Sequence, residues 1–295
     1  DAVEEADGTD RFDDCDFLAY NSLDELQIDT TDGMEGSASA NWRDSDCDGD
    51  GVINIQELRD GTNPIDSCDL MVASVNSLLV SLEWMDGDCD EDGITNGEEG
   101  YDDVDEDEIP NFIDADSDGD GVLDAVEFLV DSASYLNPCI FDTDSVTLAQ
   151  SDYWNALDCD MDGIVNGTEG VADLDADGTP NFLDVDADGD GVSDTIEWFI
   201  DSTDYSNPCE FVEASIILDN AAESWKNSDC DGDGVINERE VLTDFTNPLD
   251  NCDFEVNSVT LEPSAEWLAG DCDGDGLTNE EEGITDFDGD GEPNF

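Results

Sequence analysis

An acidic twelve-residue pattern recurs ten times along this chain and limits what the chain can fold into. Its clearest copy is Asp46-Cys47-Asp48-Gly49-Asp50-Gly51-Val52-Ile53-Asn54-Ile55-Gln56-Glu57. Aspartates at alternate positions put carboxylates on one side of a curling backbone, and a glycine at position 6 allows the sharp turn. Position 7 offers its carbonyl, and a glutamate at position 12 closes the shell with two oxygens. A hard cation taking six to eight oxygens matches this set, and a metal preferring nitrogen or sulfur does not. The spacing is that of an EF-hand-like calcium loop.

Six further loops keep the whole pattern, at 88–99, 116–127, 158–169, 186–197, 229–240 and 271–282. The loop at 103–114 has Glu108 at position 6 and ends in Asp114; the one at 173–184 ends in Asp184; a tenth starts at Asp286. The candidate ligands at position 1 are Asp46, Asp88, Asp103, Asp116, Asp158, Asp173, Asp186, Asp229, Asp271 and Asp286. Those at position 3 are Asp48, Asp90, Asp105, Asp118, Asp160, Asp175, Asp188, Asp231, Asp273 and Asp288. Position 5 supplies Asp50, Asp92, Asp107, Asp120, Asp162, Asp177, Asp190, Asp233, Asp275 and Asp290. Position 7 supplies the carbonyls of Val52, Ile94, Ile109, Val122, Ile164, Thr179, Val192, Val235 and Leu277. At position 9 stand Asn54, Asn96, Asn111, Asp124, Asn166, Asn181, Asp194, Asn237 and Asn279. At position 12 stand Glu57, Glu99, Asp114, Glu127, Glu169, Asp184, Glu197, Glu240 and Glu282.

The loops are either single, at 46 and 229, or grouped in triplets starting at 88, 103 and 116 and at 158, 173 and 186. Both triplets take the same two steps, a longer one and then a shorter one. Asp114 and Asp184 each end one loop just before the next begins, so each is expected to bridge adjacent ions. Trp42, Cys47, Trp84 and Cys89 recur at one constant offset as Trp225, Cys230, Trp267 and Cys272, the mark of a linear repeat array.

Ten cysteines and no histidine are present. One cysteine type sits in a turn and opens an apolar stretch: Cys15, Cys68, Cys139, Cys209 and Cys252. The other type, Cys47, Cys89, Cys159, Cys230 and Cys272, occupies position 2 of a loop. The two alternate strictly at a nearly constant spacing, except from Cys15 to Cys47, where residues 29–40 form an insertion. Five local disulfides follow: 15–47, 68–89, 139–159, 209–230 and 252–272. Closing about 20 residues stabilises by about 3 kcal/mol in the chain-entropy model. Without C-x-x-C spacing or histidine, a thiolate metal site is the poorer reading. Trp42, Trp84, Trp154, Trp225 and Trp267 all stand at one fixed offset before a loop cysteine, which makes them module cores rather than exposed carbohydrate platforms. The alternation in 252–256 and 259–261 predicts short strands, and Ser264 predicts a cap on a helical turn bearing Trp267.

The expected fold class is a repeat array with little regular secondary structure: EF-hand-like loops with short exit helices, joined by small disulfide-closed modules with short β-strands. The expected boundaries run from the end of a preceding calcium repeat (1–14) to a Cys/Trp module with an insertion (15–47) and a single loop (46–67). Then come a module (68–89), a triple-loop segment (88–138), a module (139–159) and a second triple-loop segment (158–208). A module (209–230), a single loop (229–251), a module (252–272) and a shortened triple-loop segment (271–295) complete the chain. Asp1-Ala2-Val3-Glu4 repeats Asp124-Ala125-Val126-Glu127, so the sequence is expected to be a window from a longer repetitive protein.

Net charge is -80, from 85 acidic and five basic residues. Such a chain repels itself without cations, so calcium is expected to be part of the fold. One or two Ca²⁺ per loop, roughly 10–20 ions, would cancel roughly 20–40 charges. Lys226, Arg11, Arg43, Arg59 and Arg239 are scattered, which excludes a basic patch for nucleic acid or an anionic membrane. No apolar run approaches the length of a bilayer span.

The tandem Asp-x-Asp-x-Asp-Gly loops interleaved with cysteines resemble thrombospondin type-3 repeats, especially those of large bacterial secreted and surface proteins. The marks are Asp-Cys-Asp-Gly-Asp-Gly at 229–234 and 271–276, Pro-Asn-Phe at 110–112, 180–182 and 293–295, and Asp-Gly-Asp-Gly at 118–121 and 188–191. The resemblance implies a calcium-wrapped structure. Disulfides beside such loops imply an oxidising, calcium-rich place at the cell surface or outside the cell. The expected function is a calcium-rigidified extracellular rod, the stalk of an adhesin or the body of a surface fibre. Its expected partners are calcium, neighbouring repeats and identical chains. The alternative is a dockerin-like calcium-dependent protein-binding module, which pulldown of a receptor domain would favour. No catalytic constellation can be assembled, because the loops claim nearly every carboxylate. Thr30, Ser132, Ser145 and Ser202, each after an aspartate, are candidate O-glycan acceptors. Asn166-Gly-Thr168 is the one N-glycan sequon, but Asn166 lies inside a loop.

Overall fold

The computed structural model describes Cys15 and residues 40–285. The leading repeat at 1–14, Thr30, residues 29–39 of the insertion, and Asp286, Asp288 and Asp290 of the tenth loop lie outside the described residues. The chain divides into two compact units, Asp1–Trp154 and Asn155–Phe295. No α-helix among the described residues exceeds seven residues, so none is long enough to cross a membrane.

The short helices arise where loops end. Asn54–Asp60 starts inside its loop and stops at Gly61, whose left-handed backbone (φ 89°) donates its N–H to the Glu57 carbonyl. Three other exits begin as a helical turn and widen into a π-helical turn at the position 12 glutamate: Glu127–Asp131, Glu197–Asp201 and Glu240–Asp244. Ser132, Ser202 and Phe245 cap them in the left-handed region at φ 57–59°.

No β-strand occurs among the described residues, which corrects the expectation for 252–256 and 259–261. Those segments flank a 3-10 turn at Val256–Ser258. Their alternation has another cause: the extended chain lies on the preceding acidic loop, one contact at a time. Leu261 and Ser264 donate their N–H groups to the carbonyls of Gly234 and Gly232 at 3.0 and 2.8 Å. The same docking joins Asn76 and Ser81 to Gly51 and Gly49, Leu148 and Ser151 to Gly121 and Gly119, and Ile217 and Ala222 to Gly191 and Gly189. A ladder needs a second extended partner, and a curled loop offers only two carbonyls.

Each module has a tryptophan at its centre. Trp42, Trp84, Trp154, Trp225 and Trp267 are all buried. Indole N–H groups donate to the carbonyl just before a turn cysteine: Trp84 to Ser67, Trp154 to Pro138, Trp225 to Pro208 and Trp267 to Asn251, at 2.7–2.8 Å. An edge-on ring completes the core in three copies, Phe141, Phe211 and Phe254. Leu70 stands at that place in the module at 68–89, and Tyr101 stacks on Trp84 at 4.6 Å. Disulfides join Cys15 to Cys47, Cys68 to Cys89, Cys209 to Cys230 and Cys252 to Cys272, as the alternation predicts. Cys139 and Cys159 are disulfide-bonded as well.

Candidate metal centres

All nine described loops are built by the same hydrogen bonds. The position 1 aspartate accepts the N–H of position 6, as Asp46 does from Gly51 at 3.0 Å and Asp229 from Gly234 at 2.9 Å. Position 5 accepts from position 7, as in Val52 to Asp50 and Val235 to Asp233, both at 2.7 Å. Position 3 accepts from position 5, as in Asp162 to Asp160 at 3.1 Å. The position 3 and position 5 aspartates thus spend one oxygen on holding the loop and keep another for its interior, whereas Asp46 and Asp229 at position 1 accept backbone N–H groups on both oxygens.

In the well-buried loops those inward oxygens have no partner. In the loop at 46–57, Asp48 Oδ2, Asp50 Oδ2 and both oxygens of Glu57 are buried and unpaired. The same set recurs with Asp90, Asp92 and Glu99; with Asp118, Asp120 and Glu127; and with Asp160, Asp162 and Glu169. Asp188, Asp190 and Glu197, and Asp231, Asp233 and Glu240, repeat it with one oxygen each. An ionised carboxylate buried without a partner costs several kcal/mol, so these groups need a cation or a proton. Burial, then the neighbouring aspartates, push Glu57, Glu127 and Glu240 up to about 9. Asp188 reaches about 9 for the same reasons, with Asp190 the foremost neighbour. Trios of carboxylate oxygens lie within 4.8 Å of one another in the loops starting at 46, 88, 103 and 116. An all-oxygen set of this kind fits a hard divalent cation.

The middle loops of the triplets differ. Asp103 and Asp107 are exposed, and Asp173 and Asp177 likewise. Glu108 takes the left-handed conformation (φ 80°) where the other loops use glycine. Asp114 faces Asp107, Asp105 and Asp103, and its Oδ1 accepts the N–H of Asp116 at 3.0 Å. It therefore ties the second loop's carboxylates to the third loop's backbone, and Asp184 does the same with Asp186.

Position 9 ties each loop to its surroundings. Asn54 Oδ1 accepts the N–H of Cys47 at 3.1 Å, and its Nδ2 donates to the Trp42 carbonyl at 2.8 Å. Asn96, Asn237 and Asn279 repeat both bonds, the second to the carbonyls of Trp84, Trp225 and Trp267. Asn111 and Asn181 reach instead to the carbonyls of Glu99 and Glu169. Asn166 is wholly buried with its Oδ1 on Cys159 N–H, so the sequon there is inaccessible. These side chains are staples between loop and module. Ser132 and Ser202 stand at helix caps, and Ser145 is half-buried.

Three segments, 46–67, 88–99 and 271–283, match the family model of the bacterial TSP3 repeat. These three segments are similar to bacterial TSP3 repeats. No curated protein and no solved structure matches it. The TSP3 segments hold one single loop and the first loops of two triple-loop segments. Each has a buried, unpaired oxygen on its position 12 glutamate, at Glu57, Glu99 and Glu282.

Sequence reasoning missed three tyrosines. Tyr101 donates to the Asp50 carbonyl at 3.2 Å, Tyr135 to the Glu98 carbonyl at 3.4 Å and Tyr205 to the Thr168 carbonyl at 3.1 Å. Tyr135 and Tyr205 both follow a position 12 glutamate, Glu127 and Glu197, at the same offset, a signal the sequence does contain.

Proposed function

We propose that this chain is a calcium-rigidified extracellular structural rod, either the stalk of an adhesin or the body of a surface fibre. The supporting observation is the recurrence of buried, unpaired carboxylate oxygens at fixed loop positions in both units. With ions in place, multiple Ca²⁺ satisfy these oxygens and lower the charge of -80. They also hold the glycine carbonyls on which the modules hang. Repeats that contact their neighbours let length grow without a large core. Disulfides throughout suit an oxidising, calcium-rich location outside the cell. Helices of seven residues or fewer do not suit the longer paired helices of a dockerin-like receptor-binding module.

The test is chelation of the intact chain, followed by circular dichroism, X-ray scattering and limited proteolysis. Excess EDTA should expand the chain and abolish its protease resistance, and calcium should restore both. An unchanged scattering profile would remove calcium from the structural role.

A further inference from the structure

We infer that the first loop of each triplet is completed from outside its own twelve residues: Asp124 of the third loop ligates the ion of 88–99, and Asp194 ligates that of 158–169. This deepens the calcium reading and rests on it. Position 9 is asparagine in seven described loops and aspartate only at Asp124 and Asp194, both in third loops. The bond to the position 2 N–H survives the change. Asp124 Oδ1 accepts the N–H of Ser117 at 2.9 Å, and Asp194 Oδ1 accepts that of Ala187 at 3.0 Å. What changes is the other atom, where an amide that would donate becomes an oxygen that accepts a cation.

The carboxylate lies beside the first loop. One carboxylate oxygen each from Asp92, Glu99 and Asp124 lies within 4.8 Å of the other two. Glu99 is 4% exposed, with both oxygens buried and unpaired. In the second triplet Asp194 is 0% exposed, its Oδ2 has no partner, and Asp162 is its foremost carboxylate neighbour. Asp124 Oδ2 accepts from the Ser117 hydroxyl at 2.6 Å, which leaves it a second lone pair.

The third loop packs against the first in both units. Thr195 Oγ1 donates to the Asp162 carbonyl at 2.6 Å. A Cβ at the first loop's position 6 glycine would stand 3.6 Å from Leu129 at Gly93 and 3.2 Å from Phe199 at Gly163, side chains of the third loop's exit turn. The third loop's fold therefore positions a ligand for the first.

The experiment uses the full chain, titrated with Ca²⁺ from a chelated state. Hydrogen exchange is read separately on peptides covering 158–169 and 186–197. Asp194→Asn installs the residue seven other loops carry and so keeps the staple. The calcium midpoint of 158–169 should rise about tenfold or more, while that of 186–197 stays in place. Asp124→Asn should do the same to 88–99 and spare 116–127. A midpoint for the first loop that does not move, or moves no further than the third loop's, would overturn the cross-loop ligand while leaving calcium binding intact. A wild-type chain without calcium-dependent protection in either peptide would instead overturn the calcium reading, and this proposal with it.

Discussion

Position 4 of the loops shows how one residue type serves two ends. Glu91, Glu106, Met161 and Ala176 all adopt left-handed backbone there, at φ 60–66°, so the conformation alone does not demand glycine. Gly49, Gly119, Gly189 and Gly232 are different: a Cβ on each would collide with Ser81, Ser151, Ala222 or Ser264 of the module docked on it. Gly232 and Gly274 separate the two effects. Their backbones match, at φ 80° and 76°, but nothing among the described residues stands within 4 Å of a Cβ at Gly274. Gly232→Ala should therefore cost about 1–3 kcal/mol of overpacking beyond the backbone strain that both variants share. Hydrogen exchange at residues 259–264 should rise in Gly232→Ala, and Gly274→Ala should leave it unchanged.

Among the elements, the tryptophan turn is fixed from both ends. Ser81, Ser151 and Ser264 accept the N–H of Trp84, Trp154 and Trp267 at 3.0–3.1 Å, while their own N–H groups donate to the loop glycine. The cap expected at Ser264 is thus present, and the same residue also docks the module. Ala222 docks but cannot cap. Ala222→Ser should add the missing cap to Glu223–Lys226 and stabilise that turn by about 1 kcal/mol. Slower exchange at the Trp225 amide would show it; unchanged exchange would mean that docking alone sets the turn's stability.

For the whole molecule, charge and proton are linked. In the ion-free fold Glu57, Glu127 and Glu240 are raised from 4.5 to about 9, first by burial and then by nearby aspartates. The folded state then holds protons that the unfolded chain has released. Stability from these groups is complete below pH 4.5, declines as pH rises, and is lost above about 9. The chelated chain should be more compact at acid pH than at neutral pH, as measured by scattering. Calcium added near pH 7 should release protons, because it displaces them from the same oxygens. A pH-stat titration without proton release would show that these carboxylates are already ionised before the ion arrives.

The inward carboxylates, the tryptophan cores and the disulfide partners were legible in the sequence because each, apart from Cys15–Cys47 with its longer separation of 32, depends on residues within about 20 positions, where spacing sets geometry. Asp at alternate positions curls the loop whatever lies elsewhere, and Trp267 finds the carbonyl of Asn251 beside its own disulfide. The tertiary structure decided what depends on longer reach. The alternation at 252–261 read as strands because extended backbone has the same period whether it meets a partner strand or the carbonyls of Gly232 and Gly234. The bond from the Asn279 amide to the Trp267 carbonyl upstream was not read from the sequence, because it depends on how the tryptophan turn packs on the loop. The packing of a third loop on a first follows from Phe199 covering Gly163 and Thr195 bonding Asp162. The step lengths within a triplet set the order of the loops but not which loop folds back on which, because that choice is made by side-chain contacts.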